Sequence, residues 1–288
     1  MPQAYEWMSH GAFSGRKMLI TGGASGIGAA LVRLVFEHGG KVAILDRNRS
    51  VQPVDDAPPS TVREFQVDVG DEASVIEAVK DAADWLDGID GVANVAGTLR
   101  DGTLSDSTVA EMYRPMAVNL FGPLYVCRAA FHWLKKADHP AVVNVSSLAG
   151  TYPYPGGGLY GPSKGALIAL SHQLAFEWAP FGIRVNVMSP GSIDTPMANS
   201  AISKTNRGER VKKVPLGRRG EPVEAANLIA FLLLPAASYI TAQEVAVSGG
   251  LEKTPISDRA WWVNYVAQLE EVKSASKVAV PNVIGDVR

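Results

Sequence analysis

Short apolar runs recur along the chain at Lys17 to Thr21, Val42 to Leu45, Val62 to Val67, Gly91 to Val95, Ala141 to Val145, Ile183 to Met188 and Glu244 to Val247. Most are continuous rather than alternating, the pattern of strands covered on both faces. Helical periodicity fills most of the intervals. After the first run, Ile27, Leu31, Leu34, Val35 and His38 fall at helical spacing and are closed by Gly39 and Gly40. Further helices are predicted over about 71 to 83, 106 to 137, 158 to 179 and 221 to 234. Pro53, Pro58 and Pro59 interrupt any helix across residues 47 to 61, so that crossover is expected to be loop. Strands alternating with helices predict one α/β domain over residues 16 to 252. It should be a doubly wound, Rossmann-type parallel sheet of about seven strands with helices on both faces. Residues 1 to 15 are expected to be an N-terminal extension. Residues 253 to 288 are expected to be a helical C-terminal extension, because Trp261, Trp262, Tyr265, Val266, Leu269 and Val272 form an apolar stripe that must pack on the core or on a partner subunit.

Composition narrows the classes of function. The 288 residues carry 27 Lys+Arg and 29 Asp+Glu, a net charge of −2, which argues against nucleic acid or an anionic membrane as partner. The apolar stretch from Leu228 to Leu234 stops at Pro235, far short of the ~20 residues of a membrane span. The first fifteen residues lack a basic start followed by an apolar stretch, so a cytoplasmic protein is expected. A single cysteine, Cys127, excludes an internal disulfide, and five scattered histidines give no metal pattern. A charged fraction of only 19% points to surface buried between subunits.

The candidate chemistry sits at strand ends. Gly22, Gly26 and Gly28 fall between the first strand and its helix, where glycines let backbone approach a pyrophosphate that the helix N-terminus attracts. An ordinary glycine turn would look the same in isolation. Asp46 ends the second strand about 20 residues after Gly26, where a carboxylate can accept both hydroxyls of an adenosine ribose. It would repel a 2′-phosphate and favour NAD over NADP, although Arg47 and Arg49 pull the other way. Asp68 and the Asn94-Val95-Ala96-Gly97 stretch end the next two strands at the same sheet edge. Tyr160 and Lys164 stand one helical turn apart, downstream of Ser147. A phenol titrates near ~10, so neutral-pH base chemistry needs a shift of ~3 units, or ~4 kcal/mol. A cation ~4 Å away supplies about that much at an effective dielectric of ~20. Singly, each residue has a plain alternative: a surface pair for Tyr160 and Lys164, a cap for Ser147, a satisfied core amide for Asn119.

Together these residues resemble the short-chain dehydrogenase/reductase superfamily in its compact single-domain branch. The resemblance covers about residues 16 to 250. It rests on TGGASGIG at 21 to 28, NVAG at 94 to 97, Asn119, Ser147, YGPSK at 160 to 164 and PGSIDT at 190 to 195. It implies a strand order of 3-2-1-4-5-6-7 and a catalytic tetrad of Asn119, Ser147, Tyr160 and Lys164. In that tetrad Tyr160 exchanges the proton on the substrate oxygen and Ser147 holds that oxygen. Lys164 binds the nicotinamide ribose and lowers the tyrosine pKa, and Asn119 positions a relay water. The resemblance also implies cofactor contacts from Gly22, Ser25, Gly26, Ile27, Gly28, Asp46, Asp68, Val69, Asn94, Ala96, Gly97, Pro190, Gly191, Ile193 and Thr195. Two positions depart from the family pattern: Val95 stands where a second asparagine is usual, and Ser248 where an aspartate commonly precedes the glycines.

Residues 148 to 159 are rich in aromatic and small residues and carry no charge, which suits a hydrophobic ring. Ser147, Leu148, Tyr154, Gly157 and Met197 are the expected substrate contacts, with residues 192 to 212 a mobile lid whose Met197 and Ile202 face the substrate. This stretch and the one around residues 215 to 241 resemble, respectively, dehydrogenases of aromatic cis-dihydrodiols and hydroxysteroid dehydrogenases. The expected activity is NAD-dependent interconversion of a secondary alcohol and a ketone on such a ring. The alternatives are an NADP-dependent ketone reductase and a catalytically silent dinucleotide sensor. Family members are commonly tetramers joined through their two long helices, so a homo-oligomer, tetramer or dimer, is expected.

Overall fold

The computed structural model describes residues 8–48, 57–100, 102–105, 107–154, 156–201 and 211–253. Seven strands, β1 (Lys17–Thr21), β2 (Lys41–Asp46), β3 (Val62–Gln66), β4 (Gly91–Asn94), β5 (Ala141–Val145), β6 (Arg184–Pro190) and β7 (Glu244–Val247), form one sheet. Its order is β3-β2-β1-β4-β5-β6-β7 and every pairing is parallel, as expected. The central strands β4 and β5 are buried along their whole length and read as apolar apart from Asn94 and Asn144, whereas the edge strand β3 is half-buried or exposed at every position. The order changes direction between β1 and β4, so the crevice beyond their carboxyl ends is where a ligand belongs.

Helices α1 (Gly26–Glu37) and α7 (Pro222–Leu233) cover one face over a core of Ile20, Ile44, Val143 and Ile229. Helices α2 (Glu72–Leu86), α4 (Gly122–Leu134) and α5 (Tyr160–Trp178) cover the other over Leu19, Val92, Leu134 and Val185. Each such fully buried side chain contributes roughly 1.5–3 kcal/mol. The Asp71 side chain caps α2 by accepting from the amides of Ala73 and Ser74, and a reciprocal Thr108–Glu111 capping box starts α3 (Val109–Met116). A short α6 (Pro196–Ala201) follows β6.

One expectation changes. The helix predicted over 106 to 137 is three pieces: α3, a π-helical turn over Ala117–Phe121, and α4. A single π turn shifts the helical register by only about one residue, too small a break for periodicity alone to separate the pieces. The described part of the N-terminal extension packs on the core. Phe13 is fully buried beside Gly40, and its amide bonds the His38 carbonyl at 3.0 Å. The tail stripe from Trp261 and most of the expected C-terminal extension lie outside the described residues, as does Ile202. No helix among the described residues is long and apolar enough to cross a membrane.

Candidate active site

A cleft of about 210 Å³ opens at the carboxyl edge of β1, β4, β5 and β6. Its floor is the glycine turn, where Gly22, Ser25, Gly26 and Ile27 meet Asp46. Gly22 adopts φ +70°, and a Cβ there would stand 2.6 Å from the Ala96 amide nitrogen. A Cβ on Gly28 would lie 2.0 Å from the Gly22 carbonyl oxygen, so Gly28 does not line the cleft but lets α1 close onto the turn. Thr21 pins the neighbouring strand end: its Oγ1 accepts from the Val95 and Ala96 amides, both at 3.1 Å. Ser25 opens α1 with extended backbone and makes no side-chain cap, and the first turn has no acidic residue. Amides in that setting suit a phosphate. Asp46 Oδ2 accepts from the Ala24 amide at 3.1 Å and Oδ1 from the Asn48 amide at 2.9 Å, which fixes the carboxylate facing the cleft. These features together fit a dinucleotide.

The catalytic wall is built by close backbone approach. A Cβ on Gly150 would lie 2.8 Å from the Gly165 amide, and one on Gly161 would lie 2.7 Å from the Ala149 carbonyl. These small residues let the first turn of α5 press against the 148–150 turn, where Tyr160 is hydrogen-bonded to Ser147. Ser147 also caps that turn, accepting from the Ala149 amide at 3.2 Å. Ser163 Oγ donates to the Tyr160 carbonyl at 2.7 Å, and Ser146 Oγ to the Lys164 carbonyl at 2.9 Å. Lys164 is buried, and its ammonium donates to the Val145 carbonyl at 2.8 Å.

Asn119 lies in the π turn and is fully buried. Its Nδ2 donates to the Thr98 carbonyl and to Ser163 Oγ, both at 3.0 Å, while Oδ1 accepts from the Thr98 amide at 2.8 Å. The side chain therefore clamps the segment after β4, and Oδ1 keeps one lone pair. That oxygen and Lys164 Nζ converge beside Gly97, at 3.4 and 3.5 Å from where a Cβ would stand. Ile193, Thr195, Pro190, Gly191 and Met197 form the opposite wall.

Several expected contacts lie elsewhere. Asp68 is drawn off by Arg114, whose Nη2 donates to Oδ2 at 2.8 Å, while Oδ1 accepts from the Gly70 amide at 2.9 Å. Burial of Asp68 is outweighed by these partners, and its carboxyl is held below the usual range. Val69 is buried against Gly122. Asn94 turns its amide away from the cleft, donating to Asn144 Oδ1 at 2.8 Å and to Cys127 Sγ at 3.4 Å, and Val95 lines the cleft instead. Ala96 contributes backbone against Gly22. Leu148 lies beside Gly191, and the Tyr154 ring packs on Gly157; none of Leu148, Tyr154 and Gly157 lines the cleft proper. Sequence reasoning passed over Leu99, Val145 and Ser146, all of which line it. The adjacent serines after β5 were the available signal for Ser146.

The charge state also differs from expectation. Burial raises the Tyr160 phenol above its ordinary value, only partly offset by the Ser147 hydrogen bond. Burial lowers the Lys164 ammonium to about 8. The expected acidification of Tyr160 by Lys164 is thus not produced by the protein's own groups, because desolvation dominates both sites.

Residues 22–252 match the family model described as enoyl-(acyl carrier protein) reductase. A tropinone reductase homolog of Arabidopsis thaliana is 33% identical over 252 residues, covering 83% of this chain and 80% of that protein. A 2,5-dichloro-2,5-cyclohexadiene-1,4-diol dehydrogenase of Sphingobium indicum is 31% identical over 241 residues, 82% of this chain and 96% of that protein. The crystal structure of levodione reductase matches with a TM-score of 0.78 at 29% identity, over 84% of this chain and 99% of that one. The chain belongs to the short-chain dehydrogenase/reductase superfamily, oxidoreductases of alcohol and ketone groups that use nicotinamide dinucleotides.

Proposed function

We propose that this protein is an NAD-dependent dehydrogenase that interconverts a secondary alcohol and a ketone on a hydrophobic ring compound. The observation that carries this reading is the Tyr160–Ser147 hydrogen bond in a cleft shared with the glycine turn and Lys164. A nicotinamide dinucleotide in this cleft supplies the hydride acceptor or donor. Tyr160 Oη exchanges the proton of the substrate oxygen, and Ser147 Oγ holds that oxygen. In ketone reduction the raised phenol pKa keeps the proton in place to be given. Lys164, near its own titration point at about 8, returns a proton through a water held beside Gly97 by Asn119 Oδ1. Asp46 receives the adenosine ribose and repels a 2′-phosphate, which supports NAD. The remaining cofactor contacts come from the glycine turn, Val95 and Gly97, and the 190–195 segment.

Support for a ring substrate comes from the apolar residues Val95, Leu99 and Met197 in the cleft and from the cyclohexadiene-diol dehydrogenase among the relatives. Association through α4 and α5 is supported by Phe176 and Phe181, which are 77% and 48% exposed on that side. The experiment is a panel of cyclic alcohols and ketones with NAD(H) and NADP(H), followed by nicotinamide absorbance. Turnover of at least one ring alcohol with NAD is expected. Absence of change across the whole panel overturns the activity, and tighter binding of NADPH than NADH overturns the Asp46 argument.

A further inference from the structure

The consecutive arginines after Gly217 reach into different elements. Arg218 grips Glu224 with both terminal nitrogens, at 2.7 and 2.6 Å, which holds it to the first turn of α7. Arg219 turns the other way. Its side chain is 14% exposed, and its guanidinium spans three acceptors of a single segment. Nη1 donates to Asp194 Oδ1 at 2.9 Å and to Asn199 Oδ1 at 2.7 Å, and Nη2 to the Ile193 carbonyl at 2.5 Å. Asn199 Nδ2 closes the group on Asp194 Oδ1 at 2.9 Å. Beneath it, the Asp194 amide bonds the Gly220 carbonyl at 2.8 Å and the Gly220 amide bonds the Ser192 carbonyl at 2.9 Å.

The segment so held is the cleft wall that faces the tetrad. Ile193, Thr195, Met197 and Ala198 line the cleft, and Arg219 does not. The backbone pairing at Gly220 reaches only residues 192 to 194, whereas Arg219 extends to Asn199 on the second turn of α6. A helix of six residues cannot hold its own shape in water, so its set depends on such tertiary contacts.

We infer that Arg219 is a positioning residue, a latch that fixes the wall from Ile193 to Asn199 in the shape that grips the dinucleotide. The inference rests on the dinucleotide reading of the cleft. Without the latch the wall populates other arrangements, and the apparent dissociation constant rises by the inverse of the competent fraction. The tetrad has separate supports, from Asn119 to Thr98 and from Ser146 to Lys164, so turnover of the saturated complex is preserved. Lysine substitutes poorly because a point charge cannot span acceptors that a planar fork spans.

The test uses the full chain, with protein fluorescence quenching on titration with NAD and NADH alongside steady-state kinetics. Arg219→Gln raises the dinucleotide dissociation constant and KM about tenfold, leaves kcat within about twofold, and barely moves the urea midpoint. Arg219→Lys falls between it and the unsubstituted protein. Asn199→Ala gives about a threefold rise, and the double variant is no weaker than Arg219→Gln alone, as groups acting together require. An unchanged dissociation constant, a fall in kcat with KM unaltered, or additive effects would each overturn the latch. Should Arg219→Gln fail to fold, Asn199→Ala decides by the same readouts. Equal binding by both proteins sinks the latch alone, whereas failure of the unsubstituted protein to bind any dinucleotide sinks the cofactor reading as well.

Discussion

Replacing Lys164 by methionine isolates the cost of burying an ammonium whose lowered pKa comes from desolvation. Burial lowers this group from 10.5 to about 8. At ~1.4 kcal/mol per unit the shift corresponds to about 3 kcal/mol. The unfolded chain therefore holds more protons than the folded protein between about 8 and 10.5, and stability from this group rises with pH across that window. Below about 8 the full penalty is present. Lys164→Met has nothing to titrate, so it gains on the unsubstituted protein as pH falls. The lost hydrogen bond to the Val145 carbonyl costs about 1–3 kcal/mol at every pH and cancels from the comparison. Urea denaturation of both proteins at pH 7 and near pH 10.5 provides the assay. The difference between variant and parent should change by about 3 kcal/mol between the two conditions, favouring the variant at pH 7, while the variant is inactive. A difference independent of pH would refute the buried-ammonium account.

Tyr160→Phe should reduce turnover by roughly 10²–10⁴-fold while leaving NADH fluorescence binding intact, and unchanged turnover would remove the proposed proton donor. Gly22→Ala places a Cβ 2.6 Å from the Ala96 amide at φ +70°, so calorimetry should show a lower melting temperature and titration a loss of dinucleotide binding. Asp46→Ala should shift preference toward NADP, read as the ratio of kcat/KM for the two cofactors; a ratio that stays put would show that Asp46 does not face the ribose. Gly97→Ala fills the point where Asn119 Oδ1 and Lys164 Nζ converge, at 3.4 and 3.5 Å, and should lower kcat without unfolding the protein.

The sheet was legible because buried parallel strands leave nearly continuous apolar runs; the partly exposed edge strands β3 and β7 carry weaker patterns but still fall where the short runs at 62 to 67 and 244 to 247 place them. The π turn that holds Asn119 was not, since a register shift of about one residue is too small for apolar periodicity to reveal. At the site, residue types and strand ends were legible, but side-chain direction was less so. Asn94 and Val95 are neighbours whose faces alternate, and nothing local says which one faces the cleft. Asp68 lies at the strand end where a cofactor contact is expected, yet Arg114, 46 residues further along the chain, engages it. The expected acidity of Tyr160 used a fixed dielectric and a nearby cation, which omits the desolvation that burial imposes on both groups.

Deuterium transfer from a cyclic alcohol labelled at its carbinol carbon tests the central claim most directly. With NAD and the unsubstituted protein, the label should appear in the reduced nicotinamide, and Tyr160→Phe should slow its appearance by the same factor as turnover. Ketone formed without label in the nicotinamide, or label transferred at full rate by Tyr160→Phe, would contradict the account.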